Sequence, residues 1–156
     1  MYEAWKRLPL SFSEWQALPG LEWMRLTLPW QVERAEVVSG YMLNMGGRDS
    51  LVEDAQWFLT VDCPWRLCGQ DGSVSWEDDD SEMAKVVDCL PGTSVLEVQA
   101  ASVNGDEPVF TLSNGWWLEV SPFSDLHPAS DPYVIQVWGT TFVYNRGNDE
   151  MIGSGR

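Results

Sequence analysis

Histidine is almost missing from this chain: His127 is the only one in 156 residues. Acid–base catalysis near neutral pH leans on imidazole more than on any other side chain. The lone example, in Leu126-His127-Pro128, reads as a solvated loop residue. Cysteine is scarce and odd in number, with Cys63, Cys68 and Cys89, so a closed framework of disulfides is not expected. Cys63 and Cys68 stand at C-x4-C spacing, but structural zinc takes four ligands and a single histidine leaves the set short. Basic residues are few as well: 9 Lys and Arg face 24 Asp and Glu, a formal net charge of −15. A field of that sign repels phosphate backbones and anionic membranes, which argues against direct binding to either and favours basic partners. No apolar run approaches the roughly 20 residues of a membrane-spanning helix. Residues 1–10 carry Glu3, Lys6 and Arg7 where a secretory leader needs an apolar stretch. The expected location is therefore the cytoplasm, with the cysteines as reduced thiols.

What the chain does contain is bulk hydrophobicity and tryptophan. Hydrophobic residues make up 44% of it, and ten are tryptophan, at positions 5, 15, 23, 30, 57, 65, 76, 116, 117 and 138. Rings of this size suit a pleated, half-buried surface, so most are expected in the core. Any left outside would mark a binding surface. The length fits one ordinary domain, taken as residues 1–145 with a flexible polar tail over 146–156.

Periodicity predicts an α+β fold: an antiparallel β-sheet-dominated single domain with one or two short helices. Ser11 and Glu14 have capping-box spacing for a helix closed by Pro19-Gly20. Residues 21–28 alternate, with Met24, Leu26 and Leu28 on one face, and read as a strand. Residues 36–44 read as another, stopped by Gly46-Gly47, and 49–53 as a loop or single turn. Residues 56–62 and 65–68 form two strands broken by Pro64. Over 81–90 the period changes: Met83, Val86, Val87 and Leu90 share a helical face that ends at Pro91-Gly92. Residues 95–101 read as a strand with Leu96, Val98 and Ala100 on one side, followed by a turn at Asn104-Gly105-Asp106. For 108–112 and 116–120, a three-residue loop with Gly115 left-handed pairs Leu112 with Trp116 and Phe110 with Leu118. That register puts the apolar residues on one face. After an irregular loop over 121–132, Tyr133, Ile135 and Val137 alternate, and 140–144 continues as a last strand past a bulge at Gly139.

No G-x-S-x-G, phosphate-binding loop or dinucleotide fingerprint is present. The expectation is a non-enzyme without a cofactor or metal. The densest chemical feature is Glu77-Asp78-Asp79-Asp80-Ser81-Glu82, next to Trp76. One reading is a solvated helix N-terminus, where the macrodipole recruits acid. A calcium loop is disfavoured because the EF-hand glycine and terminal glutamate are missing. The third reading makes Trp76, Glu77, Asp78, Asp79, Asp80 and Glu82 a partner-binding patch, an aromatic anchor among acids that meets Lys and Arg of another protein.

Trp65-Arg66-Leu67, Gly72-Ser73, the acid cluster, a short helix ending at Leu90-Pro91-Gly92, the apolar strand from Val95 to Val98, and the hairpin from Phe110 through Gly115 to Val120 form an ordered pattern. Over residues 56–138 it resembles the immunity-type proteins of bacterial polymorphic toxin systems. The resemblance implies a cytosolic antidote that binds a cognate toxin domain tightly and blocks it, with no catalytic residues to carry over. The acidic charge independently points to a basic toxin domain whose active site an acidic surface occludes. Two other functions fit the composition: a phage-encoded acidic mimic of DNA that inhibits a host nuclease, and a small carbohydrate-binding or hydrolase domain using carboxylates and exposed tryptophans.

Overall fold

Trp57, Leu59 and Val61 alternate with polar or exposed neighbours, as do Tyr133, Ile135 and Val137. All six of these side chains are buried, as expected for strands with one face on a core. The computed structural model describes residues 11–18, 22–38, 42–48, 56–70, 72–100, 107–120, 133–137, 140–145 and 150–154. In chain order the described elements are helices α1 (Phe12–Gln16) and α2 (Glu22–Arg25), then strands β1 (Trp30–Gln31), β2 (Arg34–Val38), β3 (Met42–Arg48), β4 (Gln56–Val61), β5 (Trp65–Gly69) and β6 (Gly72–Ser75). Helix α3 (Asp80–Val87) follows, then β7 (Ser94–Ala100), β8 (Pro108–Leu112), β9 (Trp117–Val120), β10 (Tyr133–Val137), β11 (Thr140–Asn145) and β12 (Glu150–Ser154).

The strands form two six-stranded antiparallel sheets, ordered β1-β7-β8-β9-β5-β6 and β12-β11-β10-β4-β3-β2. A single hydrophobic cluster draws on both, with Leu43, Trp57 and Ile135 from one sheet and Leu67, Val98 and Phe110 from the other. The fold is the sheet-dominated α+β single domain that the periodicity predicts.

The chain passes between sheets at two described places, from β1 to β2 and from β4 to β5. The first crossing is a seam of backbone bonds: Val32 N–H donates to Thr93 O at 2.9 Å and Glu33 N–H to Gly46 O at 2.9 Å. The Trp57 indole donates to Gln31 O at 2.7 Å, and its ring stacks on Trp30 with centroids 5.0 Å apart. Gly47 lies under the crossing, where a Cβ would overlap the Gln31 carbonyl oxygen. Only glycine permits that approach.

Several local expectations hold. Ser11 caps α1 in a capping box with Glu14, and Met83, Val87 and Leu90 are buried under α3 with Val86 half-covered. The β8–β9 hairpin has the predicted register, Phe110 opposite Leu118, with Gly115 at φ +88°.

Others are corrected. Within the stretch 21–28, the described residues 22–28 do not form a strand. Residues 22–25 are helical, because Trp23 and Met24 are adjacent and both buried, which alternation cannot achieve. The Thr27 hydroxyl then closes the turn by donating to Met24 O at 2.8 Å. The stretch 36–44 is not one strand but the facing ends of β2 and β3, with Val38 opposite Met42. Gly46 and Gly47 do not stop the strand but lie inside β3. Leu96 faces outward at 47% exposure, because a bulge between Val95 and Glu97 shifts the alternation so that Val95 and Val98 are buried instead. Residues 140–145 do not extend β10 but fold back antiparallel on it, Val137 opposite Thr140. Residues 150–154 form β12 against β11. Strand β6 was not foreseen. The expected features at residues 49–53, 104–106, 121–132 and Gly139 lie outside the described residues.

Candidate functional site

The acidic run sits in the connection from β6 to α3, and much of it is engaged in building that connection. Asp78 accepts the Ser75 backbone N–H at 2.6 Å while its own N–H donates to Ser75 O at 3.0 Å. Asp79 is the N-cap of α3, accepting the Glu82 N–H at 2.9 Å and the Ser81 hydroxyl at 2.7 Å. The Glu82 N–H, followed by the Ser81 hydroxyl, holds the Asp79 carboxyl below its ordinary range. Glu82 pairs with Lys85 at 3.5 Å on the exposed side of the helix. Glu77 is exposed. Asp80 is the first residue of α3, and its side chain lies outside the described set. Trp76 is half-buried against the core and donates its backbone N–H to Trp65 O at 3.2 Å. The structure thus brings the predicted residues into one short segment, but Asp78 and Asp79 have local partners, and Trp76 presents only part of its ring.

Of the eight tryptophans among the described residues, five fall inside. Trp15, Trp23, Trp30, Trp57 and Trp65 are buried. Two of their indole N–H groups tie the N-terminal segment down, Trp15 donating to Trp23 O at 2.9 Å and Trp30 to the Thr27 hydroxyl at 2.8 Å, while the Trp23 indole N–H is buried without a hydrogen-bond acceptor. Trp76, Trp116 and Trp117 are partly exposed. Trp116 leans over Gly69, where a Cβ would stand 2.7 Å from its Nε1, and borders a hollow of about 370 Å³ with Val86 and Asn114. Trp117 Nε1 donates to Glu119 Oε2 at 3.0 Å, while Arg66 gives Nε and Nη2 to Glu119 Oε1 at 3.1 and 2.7 Å. Burial pushes the Glu119 carboxyl up, but these bonds outweigh it and hold it below its ordinary range.

Every described cation is engaged within the molecule. Arg48 pairs with Glu33 at 2.6 Å, Arg66 with Glu119 and Lys85 with Glu82. Arg25 donates to Val98 O at 2.8 Å, and the Arg34 guanidinium carbon lies 4.8 Å from the centre of the Phe58 ring. Glu36 and Glu77 are exposed and have no described cation as a salt-bridge partner.

A feature that the sequence reading missed lies on the open face of the second sheet, a shallow groove of about 730 Å³. Its floor is two cross-strand rows, Glu36–Asn44–Thr60 and Arg34–Gly46–Phe58–Gln136. Phe58 is 36% exposed and lies across Gly46, where a Cβ would come within 2.8 Å of the ring. Asn44 Oδ1 is buried without a hydrogen-bond donor. The signal that would have found this face is Ser39-Gly40, a turn pair inside the stretch read as one strand. Splitting that stretch puts Glu36 and Asn44 side by side.

Reactive chemistry is sparse among the described residues. Burial, then the charge of Glu119, pushes the Cys68 thiol up and away from thiolate chemistry. No group of three or more His, Cys, Asp or Glu there has an arrangement suited to a metal ion, and His127 lies outside the described residues. No described helix is long and apolar enough to cross a membrane. Compared with family models, curated proteins and solved structures, the chain finds no match.

Proposed function

We propose that this protein is a cytosolic immunity-type, antitoxin-like inhibitor that binds a basic toxin domain and occludes its active site, without catalysis and without a cofactor. The observation that carries this reading is the charge balance of the surface. The chain has a formal charge of −15, and each described cation has its own partner inside the molecule. The uncompensated acids leave a field that speeds encounter with a positively charged groove and opposes encounter with nucleic acid. The core tryptophans give this field a stiff scaffold, which keeps the ordering cost of docking low.

The test is to retrieve the complex from the native host at low salt, identify the retained protein and express it with and without this chain. The expected result is a basic domain whose toxicity is relieved by co-expression, and whose association rate falls steeply as salt rises. Glu77→Lys combined with Glu82→Lys, which spares the turn and the cap, is expected to slow that association further. Undiminished toxicity, or a partner whose contact surface is itself anionic, overturns the reading.

A further inference from the structure

We propose that the Glu36–Asn44–Thr60 row on the open face of the second sheet is a recognition subsite for a cationic side chain, lysine or arginine, presented by the partner; this rests on the reading above and places a contact outside the acidic run. Glu36 on β2, Asn44 on β3 and Thr60 on β4 are consecutive register partners. Direct partners project to the same face with Cβ atoms about 5 Å apart. The row is therefore a line of oxygen acceptors long enough to receive one guanidinium or ammonium group.

Three observations define the ligand chemistry. Asn44 Oδ1 is buried and receives no hydrogen bond, so the free protein carries an acceptor that a bound donor would satisfy. Glu36 is exposed, and no described cation pairs with it. Arg34, two residues away on the same face of β2, is the natural candidate to neutralise Glu36, yet its guanidinium lies on the Phe58 ring instead. Gly46 makes this possible, because the absence of a side chain lets Phe58 lie across β3 toward Arg34. The sheet thus draws its own arginine aside and leaves a carboxylate next to an unbonded amide oxygen. A group with only donors and a positive charge complements that pair. Glu33, at the groove's edge, is already held by Arg48 and does not compete for the ligand.

The subsite is tested without the partner, by nitrogen-15 NMR titration of the whole chain. The probes are N-acetyl-arginine methylamide and N-acetyl-lysine methylamide, with N-acetyl-citrulline methylamide as the uncharged isostere and methyl glucoside as a neutral polyol. The expected result is saturable shifts of the Asn44 side-chain amide and of the Glu36 and Thr60 backbone amides with the two cations, and none with citrulline. Glu36→Gln is expected to weaken the cation affinity at least about fivefold, as removal of a charged acceptor should, while Glu77→Lys leaves it within about twofold because that residue sits on another element. Overall spectral dispersion and Tm confirm that each variant is folded.

Non-saturating shifts spread over all exposed carboxylates, shifts confined to residues 77–82, or a response to methyl glucoside in place of the cations each overturn the subsite. Because no toxin enters this titration, its failure removes the subsite alone. Failure to find a basic partner removes the immunity reading and leaves the titration result standing.

Discussion

The connection from β6 to α3 and the open face of the second sheet make opposite use of polar side chains. In the connection, two acids of the densest acidic run in the chain are engaged with their own backbone: Asp78 ties down Ser75 and Asp79 caps the helix. On the sheet face acids are fewer, but Asn44 Oδ1 has no donor and Glu36 has no described cation. Charge density along a sequence is therefore a poor guide to unsatisfied bonding capacity. What matters is whether the local backbone offers donors, and a turn leading into a helix N-terminus offers many. The central residues of a sheet face offer none, because the ladder has already taken them.

The largest effect that bears on this contrast comes from beneath the groove. Gly47→Ala places a methyl group against the Gln31 carbonyl oxygen, which is backbone and cannot rotate away. Equilibrium denaturation is expected to show a loss of about 3 kcal/mol, the upper range for overpacking. A near-neutral result would mean that the seam yields and the face above it is not fixed.

Next in size, Asn44→Val is expected to stabilise the protein by about 1 kcal/mol, since it deletes an unbonded buried acceptor. A loss of similar size would show that Asn44 is bonded after all, and the contrast would collapse.

Asp79→Ala should go the other way, lowering Tm by roughly 2–4 °C, the scale of one lost cap in a domain of this size. The pH dependence has a definite sign. The Asp79 carboxyl titrates below its reference value of 3.8 when folded, so its contribution is complete above that value and is lost as pH falls through the depressed folded one. The difference between Asp79→Ala and the parent is therefore constant from neutral pH down to the ordinary aspartate range and closes below it. A difference that persists in stronger acid would deny the carboxylate its capping role.

The smallest change is expected from Glu77→Lys, within about ±0.5 kcal/mol in the same denaturation assay, because the exposed side chain supports nothing local. A large loss would place Glu77 with Asp78 and Asp79 among the structural acids.

Elements with local signals were legible in the sequence. The capping box at Ser11 and Glu14, the α3 face of Met83, Val87 and Leu90, and the register of Phe110 on Leu118 all follow from spacing and turn chemistry over a dozen residues or fewer. What escaped depended on partners far away in the chain. The segment around Trp23 and Met24 alternates as a strand would, but both residues are taken into the core; its Trp23 carbonyl accepts from the Trp15 indole, and its Arg25 donates to Val98 O. Leu96 is turned out by a bulge whose cause lies in the pairing with β8. The candidate site divides in the same way. The acidic run is visible as composition, whereas the groove exists only once β2, β3, β4 and β10 are side by side.

The pairing of β4 with β10, Val61 opposite Tyr133, has a consequence for biosynthesis. The second sheet is interrupted in the chain: β2, β3 and β4 precede the strands β5 to β9, and β10, β11 and β12 follow them. On a ribosome the first three strands of this sheet emerge early and wait with β4 as a bare flank while five strands of the other sheet are made. Closure over so long a separation is slow, and an uncovered strand edge invites the wrong neighbour. Slower translation across residues 65–120, which prolongs the exposure of residues 56–61 before residues 133–137 arrive, is therefore expected to lower the soluble fraction in cells before it changes the stability of the finished protein.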